Sequence, residues 1–74
     1  MKKENAIKAL KKIADEKGYT FTNETCIAKE QKSVTGKPLI ITIEYSEITH
    51  DITFYENDKY WFSSKTIKHA LEMA

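Results

Sequence analysis

Few residues of this chain could do chemistry, and they are scattered. The candidates are two histidines, His50 and His69, one cysteine, Cys26, and two carboxylates, Glu44 and Asp51. General acid–base catalysis needs titratable groups gathered in a pocket. His50 stands near a strand start and His69 on the polar face of a helix, and nothing in the sequence brings them together. A Cys-His nucleophile needs an exposed, activated thiolate. Alternation instead places Cys26 on a core face, as a small buried hydrophobe. Glu44 and Asp51 are expected opposite each other on an open sheet face, where they repel unless a divalent ion, Lys29 or water relieves them. One cysteine and two separated histidines give no zinc spacing. Two glycines can hardly build a phosphate-cradling loop. The expectation is a protein that is not an enzyme, with no metal and no cofactor.

A second group of residues suggests contact rather than chemistry. Five of the eight aromatic residues fall in the nine positions from Phe54 to Phe62. A strand hides only alternate residues on one face, so this run places aromatics on both sides of a sheet. One set serves the core and the other needs a cover.

The elements that position these residues follow from periodicity. Ala6, Ile7, Leu10, Ile13 and Ala14 share one face of a helix over Lys3–Lys17. Its polar face carries Glu4–Lys8, Lys11–Asp15 and Lys12–Glu16 at i,i+4, and Gly18 is the expected stop. Tyr19, Thr20 and Phe21 lead the chain back across the helix. Strands are expected over Thr25–Lys32, over Leu39–Tyr45 with Pro38 at its start, over His50–Tyr55, and briefly over Tyr60–Phe62. Thr35-Gly36, residues 46–49 and Asn57-Asp58 supply the turns. Ser63 or Ser64 caps a last helix, whose stripe is Ile67, Ala70, Leu71 and Ala74. Lys65, Lys68, His69 and Glu72 face away. The order is α-β-β-β-(β)-α. This is an α+β fold, an antiparallel meander with both helices packed on one face.

Register can be chosen by matching apolar residues. A four-residue loop at 46–49 sets Ile43 against Ile52, Ile41 against Phe54 and Tyr45 against His50. A two-residue loop at Thr35-Gly36 sets Ala28 against Ile43 and Cys26 against Tyr45. The expected core face is Cys26, Ala28, Leu39, Ile41, Ile43, Ile52 and Phe54. A two-residue loop at 57–58 pairs Tyr55 with Tyr60 and puts Trp61 into the core. Tyr55, Tyr60 and Phe62 then lie on the open face beside Ile40 and Ile27. A three-residue loop would instead expose Tyr55 and Trp61.

The totals bound the reading further. Seventy-four residues form one domain, 1–74, with a small core, since a chain this short buries only about 60% of its unfolded surface. A net charge of +1 exerts no general pull toward nucleic acid or membrane. A single cysteine closes no internal disulfide. No apolar run reaches a spanning length of about 20 residues, and the start lacks a signal-peptide pattern. The expected location is cytoplasmic. All twelve basic residues are lysine, the bias of an AT-rich genome such as that of a low-GC bacterium, its phages or other mobile elements. Without arginine, no bidentate guanidinium can read carboxylate, phosphate or guanine.

The segment Ser63-Ser64-Lys65-Thr66-Ile67-Lys68-His69-Ala70 resembles the Ser-Lys-Lys-x-Ala-Lys start of the last helix in double-stranded RNA-binding domains, and the element order is similar. The resemblance implies phosphate contacts from Lys65 and Lys68, with Lys37 of Gly36-Lys37-Pro38 where that family's binding loop lies. The family's Gly-Pro-x-His loop is absent, and Thr66 replaces one lysine. Small RNA-cleaving toxins similar to such domains use a histidine in a Gly-Ser-His strand motif, which is missing here.

Two functional expectations result. The leading one is a non-enzymatic interaction module, a protein-binding regulator or inhibitor that contacts another protein or a second copy of itself through Ile40, Tyr55, Tyr60 and Phe62. Tyrosines suit such surfaces because they offer large area at low entropic cost. The same cross-strand pairs also stabilise a sheet with no partner at all. The alternative is a nucleic-acid-binding domain using Lys37, Lys65 and Lys68.

Overall fold

The computed structural model describes residues 1–74. Helix α1 spans Lys3–Lys17, and five strands follow, β1 (Thr20–Asn23), β2 (Cys26–Lys32), β3 (Pro38–Ser46), β4 (Asp51–Glu56) and β5 (Lys59–Ser64), before helix α2 (Ile67–Met73). The strands form one antiparallel meander in the order β1-β2-β3-β4-β5. Both helices pack on one face, as the apolar pattern requires.

Helix α1 starts and stops where its sequence directs. Glu4 lies in the first turn and Lys17 in the last, each favourable to the helix dipole. Gly18 turns left-handed at φ 79°, and its N–H bonds the Ala14 carbonyl. The three i,i+4 pairs expected on the polar face do not close. The ion pairs that form join Lys3 to Glu47 (2.8 Å) and Glu24 (3.7 Å), in the loops at one end of the sheet. Solvation of long flexible side chains outweighs weak surface attraction.

The stretch after Gly18 is a strand rather than a simple return. β1 pairs Thr20 with Ala28 and Phe21 with Ile27, with an irregularity before Asn23. The Asn23 carboxamide oxygen accepts from the Thr25 N–H (2.9 Å) and closes the turn.

The β2–β3 loop corrects the expected register. Gly36 adopts φ 81°, and Ser33 N–H bonds the Lys37 carbonyl (3.0 Å). Val34, Thr35 and Gly36 therefore form a three-residue loop, with glycine at the left-handed position. Adding one residue shifts β2 by one and turns its faces over. Ile27 pairs with Ile43 and is fully buried in the core, while Cys26 and Ala28 lie opposite Glu44 and Thr42 on the other face.

The β3–β4 register is shifted by two residues from expectation, which keeps every face. Ile43 meets Phe54, Tyr45 meets Ile52, and Ile41 meets Glu56. Ser46 causes the shift. It stays in the strand while its hydroxyl accepts from the N–H groups of Ile48 and Thr49 (3.3 Å each), so the loop begins at Glu47. Glu44 consequently lies opposite Thr53 rather than Asp51.

The core joins Ala6, Leu10 and Ile13 of α1 to Ile27, Ile41, Ile43, Tyr45, Ile52 and Phe54 of the sheet and Ala70 of α2. Leu39 packs against it only in part. Ala6, Ala9 and Ala70 are small and buried, which lets the two helices approach closely. Thr66 caps α2, accepting from the His69 N–H (3.2 Å). Ser63 and Ser64, the expected caps, belong to β5 because they pair with Thr53 and Ile52.

The β2 register is directly testable. Ile27→Ala should lower the unfolding free energy by about 2–4 kcal/mol, as for other buried isoleucines. Ala28→Ser should cost less than about 0.5 kcal/mol. Equal losses in urea titrations would contradict this register.

Candidate functional site

The β4–β5 hairpin carries the aromatic run, and its geometry is set by two conditions. Asn57 and Asp58 both take positive φ, 50° and 64°, as a two-residue type I′ turn requires. That turn pairs Glu56 with Lys59 and Tyr55 with Tyr60. Beyond it the register shifts by one, and Phe54 pairs with Phe62. Trp61 is the extra residue of a bulge.

The bulge redistributes the aromatics. Phe62 stacks on Phe54 at 4.3 Å between centroids with a 14° interplanar angle, and Trp61 packs edge-on to Phe62 at 4.9 Å. Phe62 thus joins the core side, and its expected place on the open face is corrected. Trp61, expected in the core with this loop length, is 49% exposed. Tyr55 and Tyr60 pair on the open face, where Tyr60 is 66% and the nearby Ile40 42% exposed. Asn57 ties Ile40 to this patch. Its carboxamide oxygen accepts from the Ile40 N–H, and its own N–H bonds the Ile40 carbonyl, both at 2.9 Å. Of the four expected contact residues, three come together, and Phe62 turns to the core side, where it is partly buried.

Beside the aromatic patch, the β4–β5 side of the open face is polar and hydrogen-bonded within itself. The Thr49 hydroxyl donates to Asp51 (2.7 Å), Thr53 donates to the same oxygen (3.4 Å), and Ser63 lies 3.3 Å from both Thr53 and the Tyr60 hydroxyl. This row of hydroxyls runs from the loop before β4 to the aromatic patch. Short side chains of this kind leave a sheet face wet without exposing large apolar area.

The titratable residues are distributed over separate contacts. His69 Nδ1 lies 2.7 Å from the Ser64 hydroxyl. The spacing is that of a nucleophile and base, but Ser64 has no accessible surface. The contact pins α2 to the end of β5. Sequence alone gave no sign of it, because it depends on β5 reaching Ser64. His50 Nδ1 lies 3.2 Å from the Tyr45 hydroxyl, which also donates to the Met1 carbonyl (3.2 Å). The two histidines occupy separate sites with separate partners. Contact with the Lys3 ammonium holds the Glu47 carboxyl below its ordinary range, and the same contact with Glu47 raises Lys3.

Cys26 is only 6% exposed although it lies off the core face. Burial pushes its thiol above the ordinary range, opposed by Thr22 and reinforced by the nearby Glu44 charge. Both factors that raise it disfavour a reactive thiolate.

The lysines expected to contact nucleic acid are not gathered. Lys37 precedes β3, while Lys65 follows Ser64 and Lys68 lies in the first turn of α2. Ser64 lies level with the far end of β3 through Ile52 and Tyr45. Lys37 is therefore separated from the other two by roughly 25–30 Å, at ~3.3 Å per strand residue. No helix is long and apolar enough to cross a membrane. The chain matches no family model, no curated protein and no solved structure.

Cys26 offers a check on this geometry. At neutral pH a thiol-specific reagent should label the native protein at least about tenfold more slowly than the denatured chain, because labelling must await local opening. Comparable rates would contradict its burial.

Proposed function

We propose that this chain is a non-enzymatic interaction module that binds another protein through the aromatic end of the β4–β5 hairpin. One observation carries the reading. Edge strand β5 presents two large exposed aromatics at consecutive positions, Tyr60 on the open face and Trp61 on the helix side, on a hairpin whose other aromatics are buried or half-buried. Tyrosine and tryptophan at such positions are the residues that dominate binding energy at protein interfaces. Tyr55 and Ile40 extend the surface across the open face. The bulge at Trp61 interrupts the ladder, which favours contact by side chains over simple addition of a strand.

Burial of Cys26 and Ser64, and the attachment of the two exposed histidines to separate hydroxyls, favour this reading over an enzymatic one. The nucleic-acid alternative rests on Lys65 and Lys68 beside the start of α2, without Lys37 in reach.

The test is a comparison of the wild type with a variant carrying Tyr60→Ser and Trp61→Ser. Size in solution and affinity capture from host extract are measured for both, with circular dichroism to confirm the fold. The variant should lose its partner, or its self-association, with affinity falling by at least about thirtyfold if both are anchor residues. An unchanged profile would sink the proposal. Duplex RNA binding that weakens with salt, and with Lys65→Ala or Lys68→Ala, would favour the alternative.

A further inference from the structure

The seven residues of α2 do not complete the helix layer. Between the ends of the two helices and the sheet lies a slot of about 160 Å³. Ile41 and Phe54 form its base, Trp61 and Met73 one wall, and Tyr19 and Lys29 the other. It lies on the helix side, opposite the Tyr55–Tyr60 patch, and the bulge that expels Trp61 creates its wall.

Size limits the occupant. A cavity of roughly 150 Å³ holds one benzene ring, and a drug-sized ligand needs at least about 300 Å³. The slot takes a single ring. Its apolar walls are Trp61, Tyr19, Met73 and the sheet residues, and Trp61 and Met73 remain 49% and 47% exposed.

Charge limits it further. No acidic side chain lines the slot, whereas Lys17 and Lys29 both do. The Lys29 ammonium donates to the Lys17 carbonyl (2.8 Å) and sits 5.6 Å from the centroid of the Tyr19 ring. That carbonyl and a cation–π contact fix its position without neutralising it. The ion pairs of this chain involve Lys3 alone. An ammonium has three donors, so Lys29 can still meet an incoming carboxylate.

The geometry points to a docking site for an acidic peptide segment, which inserts one aromatic ring between Trp61 and Tyr19 and sets its carboxylates against Lys29 and Lys17. This inference rests on the reading of the chain as a protein-binding module and names the partner's chemistry. Trp61 is the only tryptophan, so its emission reports occupancy directly.

The experiment titrates the full chain with a short blocked peptide of phenylalanine flanked on each side by two glutamates. Two controls replace the phenylalanine by alanine, or the glutamates by lysines. Trp61 emission should change saturably with the first peptide, and each control should bind at least about tenfold more weakly. Lys29→Glu should weaken the first peptide by about tenfold, and Lys29→Gln by less, with thermal midpoint and circular dichroism confirming that both variants fold. No saturable change, or equal responses to the three peptides, would overturn the inference. So would a Trp61 signal that tracks protein concentration alone, which would mark a second copy as the occupant. If Tyr60→Ser with Trp61→Ser abolishes partner capture while Lys29→Glu leaves it intact, the interaction module stands and the acidic docking site falls.

Discussion

The fold depends on the stack between Phe54 and Phe62. The type I′ turn at Asn57-Asp58 fixes Tyr55 opposite Tyr60, and simple alternation from there would bring Trp61, not Phe62, over Phe54. The chain admits both the turn and the stack by spending Trp61 as an extra residue. Interrupting the ladder costs some hydrogen bonding, but partial burial of Phe62 contributes a share of the roughly 1.5–3 kcal/mol of a fully buried ring, and the pair a further ~0.5–1.5 kcal/mol. The rest of the C-terminal half follows. Ser64 lands opposite Ile52, where it is buried and contacts His69. Thr66 then caps α2, and Ala70 settles into the core with Ala6.

The exposed aromatics are a consequence of the same arrangement. Placing Phe62 inward leaves Tyr60 and Trp61 outside, on opposite sides of an edge strand. A helix of seven residues is too short to hold itself together or to roof a five-stranded sheet, because short helices depend on tertiary packing. Small domains cover their apolar surface poorly in any case. The candidate surfaces therefore sit where the core runs out of covering material, at the free edge and beyond the last turn of α2.

Much of this architecture was legible in the residues. The apolar stripe of α1 and Gly18 fixed both ends of that helix, and the alternation of Ile41, Ile43, Ile52 and Phe54 fixed the inner face of β3 and β4. What remained hidden depends on loops whose length differs by one residue. Thr35-Gly36 reads as a two-residue turn, yet left-handed Gly36 closes three, and that single residue exchanges Ile27 for Cys26 and Ala28 in the core. β1 lacks a buried face altogether, so no period marks it. The bulge at Trp61 carries no local signal, since it arises from competition between a turn and a distant stack. The surface was half legible for the same reason. Tyr55, Tyr60 and Ile40 follow from alternation, while Trp61 and the slot behind it require the bulge.

The central claim is that Phe62, not Trp61, completes the core. The most direct measurement compares the unfolding free energies of Phe62→Ala and Trp61→Ala in urea. Phe62→Ala should cost about 2–4 kcal/mol, as for a ring packed on a core, and Trp61→Ala less than about 1 kcal/mol, as for a half-exposed side chain. The reverse order would contradict the bulge and everything built on it.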